Sequence, residues 1–165
     1  MQVSFEVKLQ PMDLFRFNMY QTYTTMQGPI SIILFAILEV IAVVNFRNGE
    51  AGYGALYVAA GLLFAGYIPL TLWSRAHSTL KKNQVLANAL RYEVSDAGIK
   101  VSQNGDEGLL EWNLVYKVVA RKKQVLIYSN RVNAYIIPRE QLGADYDGFC
   151  EICQKNLEKY RLKMK

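Results

Sequence analysis

Residues 29–44 read PISIILFAILEVIAVV and residues 51–73 read AGYGALYVAAGLLFAGYIPLTLW, with the polar hinge NFRNGE at 45–50 between them. A helix of about 20 apolar residues is long enough to cross the hydrocarbon core of a bilayer. The second stretch holds 23 residues without a charge and can cross with some tilt. The first carries one acid, Glu39, near its centre. On insertion scales a mid-membrane charge costs about 2.5 to 3.5 kcal/mol, while each Leu, Ile, Val or Phe returns about 0.3 to 0.6. Eleven such residues lie between Ile30 and Val44 and supply roughly 3 to 7 kcal/mol, so the span inserts despite Glu39. Both stretches are apolar all round rather than along one stripe, which points away from helices buried in a soluble core. The sequence predicts helices over residues 29–45 and 51–73, held antiparallel by the short hinge.

Upstream, residues 2–10 alternate, with Val3, Phe5, Val7 and Leu9 on one side and Ser4, Glu6 and Lys8 on the other, the period of a half-buried strand. Pro11 ends it and Asp13 opens a helix through Leu14, Phe15, Phe17, Asn18 and Tyr20, whose aromatic content suits the headgroup level of a bilayer. Gly28 and Pro29 kink or restart that helix before the first span. A secretory signal would begin basic and apolar and end in a small-residue cleavage site; the alternating start predicts that no cleavage occurs. Lys8 and Arg16 precede the first span, and Arg75, Lys81, Lys82 and Arg91 follow the second, while Arg47 in the hinge is offset by Glu50. That bias predicts both termini in the cytoplasm of a multi-pass inner-membrane protein.

The net charge of +5, from 19 basic against 14 acidic residues, invites a nucleic-acid reading. The excess instead lies beside the spans and in the run Lys155, Lys159, Arg161, Lys163, Lys165. Basic residues beside a bilayer are drawn to anionic lipid by about 1 kcal/mol each, so lipid rather than nucleic acid is the expected partner. Residues 74–165 are enough for one small soluble domain. A polar connector at 74–88 leads to short strand signals at 90–94, 99–101, 109–112, 115–120, 125–128 and 134–137, followed by a helix after Gly143. The fold class expected is therefore α+β: residues 1–28 as strand and interfacial helix, 29–73 as a transmembrane hairpin, and 74–165 as a bent antiparallel sheet capped by a C-terminal helix.

Arg91-Tyr92-Glu93-Val94, Asp96-Ala97-Gly98-Ile99, Glu111-Trp112-Asn113, Lys117-Val118, Leu126-Ile127-Tyr128 and Ala134-Tyr135-Ile136-Ile137-Pro138-Arg139 follow the helix pair in that order. In this order they resemble the YcxB-like family of bacterial membrane proteins, whose C-terminal half is similar to a pleckstrin-homology domain. The likeness is best over residues 90–142. It implies a strongly bent sheet closed at one end by the terminal helix, with residues 2–10 returning from before the hairpin to pair with that sheet. Phosphoinositide binding does not follow, because the turn at 95–98 carries an acid and no base. The tip Arg121-Lys122-Lys123 is the better lipid candidate, beside the plainer reading of a solvated hairpin tip.

For catalysis one looks for a nucleophile beside a base, paired carboxylates, a metal cluster or a phosphate loop, and the sequence offers none. No cofactor or metal is expected. Cys150 and Cys153 form a C-x-x-C inside a helical pattern, sharing a face with Phe149 and Leu157, which reads as core packing rather than a redox pair. Glu39 is the residue to single out, since an ionisable group at that depth must find a partner or stay protonated. Counting outward from the hinge sets it level with Ala59 and Ala60, with Tyr57 as a hydrogen-bond donor; structural glue between the helices is the plainer role, and proton relay or signal coupling the sharper one. The repeat Ala51, Ala55, Ala59, with Gly61 and Ala65, lets helices approach closely, internally or between copies. Arg75, Lys81, Lys82, Arg121, Lys122 and Lys123 are the candidate lipid-facing cations. Function reads as a non-enzymatic membrane protein whose cytoplasmic domain binds a protein partner or another copy. The alternatives are a ligand-gated membrane effector, in which the β domain senses a small molecule and the hairpin oligomerises, and an accessory subunit of a transporter.

Overall fold

The computed structural model describes residues 2–164; Lys165, the last of the C-terminal basic run, lies outside the described residues. Alternation at the start of the chain builds strand β1 (Gln2–Val7), with Val3, Phe5 and Val7 buried and Leu9 buried just beyond it. Helix α1 (Pro11–Thr24) starts on the proline, whose missing N–H and fixed φ suit a first helical position. Asp13 Oδ2 accepts the N–H of Gln10 at 2.9 Å, so the carboxylate reaches back over the helix start as in a capping box. A bend at Thr25 and Met26 precedes α2 (Gln27–Arg47). After the turn at 48–50 comes α3 (Ala51–Lys82), which runs on through Pro69.

The polar stretch expected as a connector at 74–88 is helical through Lys82. Ser74, Arg75, His77, Lys81 and Lys82 are polar but none of them breaks a helix, and only Asn83 leaves the helical region, with φ −110° and ψ 98°. Its side chain accepts from the N–H of Leu86 and starts the short α4 (Gln84–Ala87). The remaining elements are β2 (Leu90–Ser95), β3 (Gly98–Gln103), β4 (Asp106–Leu110), β5 (Lys117–Ala120), β6 (Gln124–Tyr128), β7 (Ala134–Pro138), α5 (Arg139–Leu142), α6 (Tyr146–Asn156) and β8 (Leu162–Lys163). The architecture is α+β.

Two four-stranded sheets are present among the described residues, ordered β1-β2-β3-β4 and β7-β6-β5-β8. Every pairing is antiparallel except β5 with β8, where Val118 faces Leu162 in a parallel ladder. β1 lies against β2 from Gln2 opposite Ser95 to Val7 opposite Leu90. A strand that precedes both apolar helices is thus completed by one that follows them. Phe5 stacks on Tyr92 with ring centroids 5.6 Å apart and meets Phe149 edge-on at 6.4 Å, so β1 joins β2 to α6 through the core. Val94, Ile99, Val118, Ile127, Ile137 and Phe149 are fully buried there, each contributing about 1.5 to 3 kcal/mol of apolar burial.

The chain divides into two compact units, one made of residues up to Leu14 with those from Thr79 onward, the other of Phe15–Ser78. The second holds two helices long and apolar enough to cross a membrane, of 21 and, with its extension into the first unit, 32 residues. Only 6% of the apolar window in each is buried, which is not the burial of core helices in a soluble protein. Within that unit Phe15 meets Trp73 edge-on at 5.3 Å.

Candidate functional site

Glu39 sits on α2 with Oε1 turned onto α3. A Cβ placed on Gly61 would lie 2.6 Å from that oxygen and 3.3 Å from the Phe35 ring, so a larger residue here would require the carboxyl to move. Two helical turns closer to the hinge, Gly54 receives the Phe46 ring in the same way, at 2.8 Å from a Cβ. These two pairs fix the register of the hairpin. Glu39 lies level with Gly61 rather than with Ala59 and Ala60, because the helices pair about Glu50, the last residue of the 48–50 turn. Glu39 Oε1 is buried and has no hydrogen-bond partner; Tyr57, half-buried a turn earlier on α3, does not donate to it.

The small residues divide between two jobs. Gly54 and Gly61 are buried against α2, whereas Ala51, Ala55 and Ala59 are exposed. The row of alanines is therefore not what α2 packs on.

The basic candidates fall in separate places. Arg75 is exposed on α3 within the helical unit, and Lys81 and Lys82 are exposed in the last turn of that helix, in the sheet unit. Arg121, Lys122 and Lys123 form the exposed β5–β6 tip, closed by the Arg121 N–H donating to the Gln124 carbonyl at 2.8 Å. Lys123 lies 3.4 Å from Glu140, with both side chains more than half exposed, a pairing that adds little in water.

Three of the residues that carried the family likeness, Asp96, Gly98 and Trp112, meet around one turn. Asp96 accepts from Lys155 at 2.9 Å and from Asn156 at 3.3 Å, which ties the β2–β3 turn to the end of α6. Those contacts, led by Lys155, hold its carboxyl below the usual range. The Trp112 indole N–H donates to the Ser95 carbonyl at 2.9 Å from a short 3-10 turn at Trp112–Leu114. Gly98 has φ +144°, and a Cβ there would lie 2.6 Å from the Leu110 carbonyl oxygen. One turn thus anchors α6, Trp112 and β4.

Cys150 and Cys153 are free thiols on α6, the second fully buried. Burial pushes both upward, and at Cys150 it outweighs the hydrogen bond from Tyr146, so neither is a ready thiolate. Among the described residues no group of three or more His, Cys, Asp or Glu could hold a metal ion.

Residues 94–152, from the core of β2 to the middle of α6, match the family model described as YcxB-like protein. Over that segment the chain is YcxB-like. No curated protein and no solved structure matches it. The matched segment of this YcxB-like chain holds the Asp96 turn, Trp112, the second sheet as far as β7 and the buried face of α6, and it begins after β1 and the hairpin. Sequence reasoning missed Gly54, and it named Gly61 among the small residues without pairing it with Glu39. Their signal lay in the spacing about the end of the hinge, since 46 with 54 and 39 with 61 are each equidistant from Glu50.

Proposed function

We propose that this chain is a non-enzymatic multi-pass protein of the bacterial inner membrane, with both termini in the cytoplasm. Its two apolar helices anchor a pleckstrin-homology-like domain that binds a protein partner or another copy at the membrane face. The observation that carries the reading is the pairing of β1 with β2 across the hairpin, Val7 opposite Leu90. Strands that share one sheet lie on one side of a bilayer, so the chain between them crosses it an even number of times. Removal of the first helix as a cleaved leader would also remove β1 and expose Tyr92 and Val94. The lysine and arginine bias beside the spans then selects the cytoplasmic side.

A pleckstrin-homology-like domain is supported by two packed sheets with a helix closing one end, built from β1–β4, β5–β7 and α6. Arg75, Lys81 and Lys82, next to the spans, orient the domain on anionic headgroups. Glu39 helps set the register of the two helices through its contact with Gly61. The test is a pair of fusions in a bacterial cell. A cytoplasm-active reporter on either terminus gives signal, and an impermeant maleimide added outside labels a cysteine placed at Asn48; signal from an export-dependent reporter behind Lys165 rejects the reading. Pull-down of the full chain from detergent-solubilised membrane then identifies the partner.

A further inference from the structure

One end of the second sheet exposes a group of apolar and aromatic side chains. Tyr116 and Leu114 precede β5, Tyr160 precedes β8, and Val132 lies in the β6–β7 loop. The register brings these segments together, since Lys117 faces Tyr128 and Tyr128 faces Ala134, while Val118 faces Leu162. The exposures are 58% for Leu114, 45% for Tyr116, 60% for Val132 and 70% for Tyr160. None of this is slack. Asn130 Oδ1 accepts the N–H groups of both Val132 and Asn133, at 2.8 and 2.7 Å, which fixes the loop with Val132 outward. Arg161 donates to the Val115 carbonyl and to the Tyr160 hydroxyl, each at 3.2 Å, so one guanidinium holds Tyr160 beside the start of β5.

The charges around this end are basic. Lys117 lies over the Tyr128 ring at 4.5 Å and near the Tyr116 ring at 5.6 Å, and Lys159, Arg161 and Lys163 follow one another along the segment leading through β8. No carboxylate of the described residues pairs with any of these four; Glu158 is the one acid in that segment. Tyrosines with a wet tip and an apolar body, set among unpaired cations, are what a membrane-water interface selects. The edge strand β8 is two residues long and carries Lys163, features that discourage addition of a partner's strand. Charge complementarity favours headgroups over a protein, and the β8 edge offers a partner's strand little to pair with.

We propose that this end of the second sheet, with Tyr116, Val132 and Tyr160 among Lys117, Lys159 and Arg161, is a contact surface for anionic phospholipid. The proposal rests on the reading of the hairpin as a membrane anchor, which keeps a bilayer within reach of the domain. It also distinguishes the two ends of the sheet. The Arg121–Lys123 tip lies at the other end of β6, roughly 15 Å away along a five-residue strand, and is left in water. Each unpaired cation raises occupancy of the lipid-bound state about fivefold, the equivalent of about 1 kcal/mol.

Photo-crosslinking on the full chain in nanodiscs tests it. Tyr160→benzoylphenylalanine is compared with Lys122→benzoylphenylalanine, in discs of phosphatidylcholine alone and in discs containing phosphatidylglycerol. Phosphatidylglycerol adducts at position 160, several-fold above those at 122 and lost in Lys117→Glu with Lys159→Glu, are the expected result. Equal adducts at both positions, no lipid adduct at 160, adducts unaffected by headgroup charge, or protein adducts alone overturn it. A chain that enters the discs but gives one of those outcomes removes this surface only. A chain that stays out of the discs removes the membrane anchor, and this surface with it.

Discussion

Gln141 and Lys8 exchange two hydrogen bonds across 133 positions of chain: the Lys8 N–H donates to Gln141 Oε1 at 2.8 Å, and Gln141 Nε2 donates to the Lys8 carbonyl at 2.9 Å. A side-chain amide here does what a neighbouring strand would do, one residue past the end of β1. It fastens the chain just where it leaves the sheet for the helices. A net hydrogen bond is worth about 0.5 to 1.5 kcal/mol, and both are solvent-accessible, so Gln141→Ala should lower stability by about 1 kcal/mol. Hydrogen exchange at Val7 and Leu9 should rise in that variant while exchange at Ile127 holds; equal rates at all three would contradict the role.

The Asp96 contact makes a pH statement. Its folded pKa is depressed by Lys155 and then Asn156, so the stabilisation is present above the unfolded carboxylate value and is lost as pH falls through the folded one. The window is therefore acidic, below about pH 4. Melting curves should show the wild type converging on Asp96→Asn as pH drops through that range. A difference that grew on acidification would reverse the assigned sign.

Gly98 should tolerate nothing larger. Its φ of +144° and the Leu110 carbonyl oxygen 2.6 Å from an added Cβ combine a backbone penalty with a clash against main chain. Gly98→Ala is expected to cost on the order of 1 to 3 kcal/mol, read by thermal unfolding in detergent. Gly108→Ala, where a Cβ meets nothing within 4 Å, is the matched control and should stay within about 0.5 kcal/mol.

In the hairpin, Gly61→Ile would drive a branched side chain into Glu39 and Phe35. Cysteines replacing Phe46 and Gly54, with Cys150 and Cys153 changed to Ala, should cross-link readily in membranes, and the yield should drop several-fold when Gly61→Ile is added. Undiminished yield would show that α2 does not pack on Gly61.

Much of this molecule can be read from the sequence, for identifiable reasons. The alternation of Val3, Phe5, Val7 and Leu9 announces a half-buried strand because period two has few other causes, and the all-round apolarity of α2 and most of α3 announces membrane-capable helices. What the alternation does not carry is a partner: pairing with β2 came only through the family likeness. Ser74 to Lys82 misleads because polarity and helix-breaking are different properties. α5 and β8 are too short for any period, and β8 gains its strand geometry from β5 alone. Trp112 leaves the strand for a 3-10 turn because its indole N–H, once buried, needs the Ser95 carbonyl. Gly61 hides behind the more regular alanine row, and locating it requires the hinge to be placed within one residue.

The pairing of β1 with β2 across two membrane-capable helices is tested most directly by a cross-link in the membrane. Cysteines replace Glu6 and Arg91, which face each other in the ladder, in the Cys150→Ala, Cys153→Ala background, with a protease site inserted at the 48–50 turn. After oxidation and cleavage the two fragments should migrate as one species without reductant and separate with it. Fragments that separate without reductant, or that join only between copies, would contradict a sheet closed within a single chain.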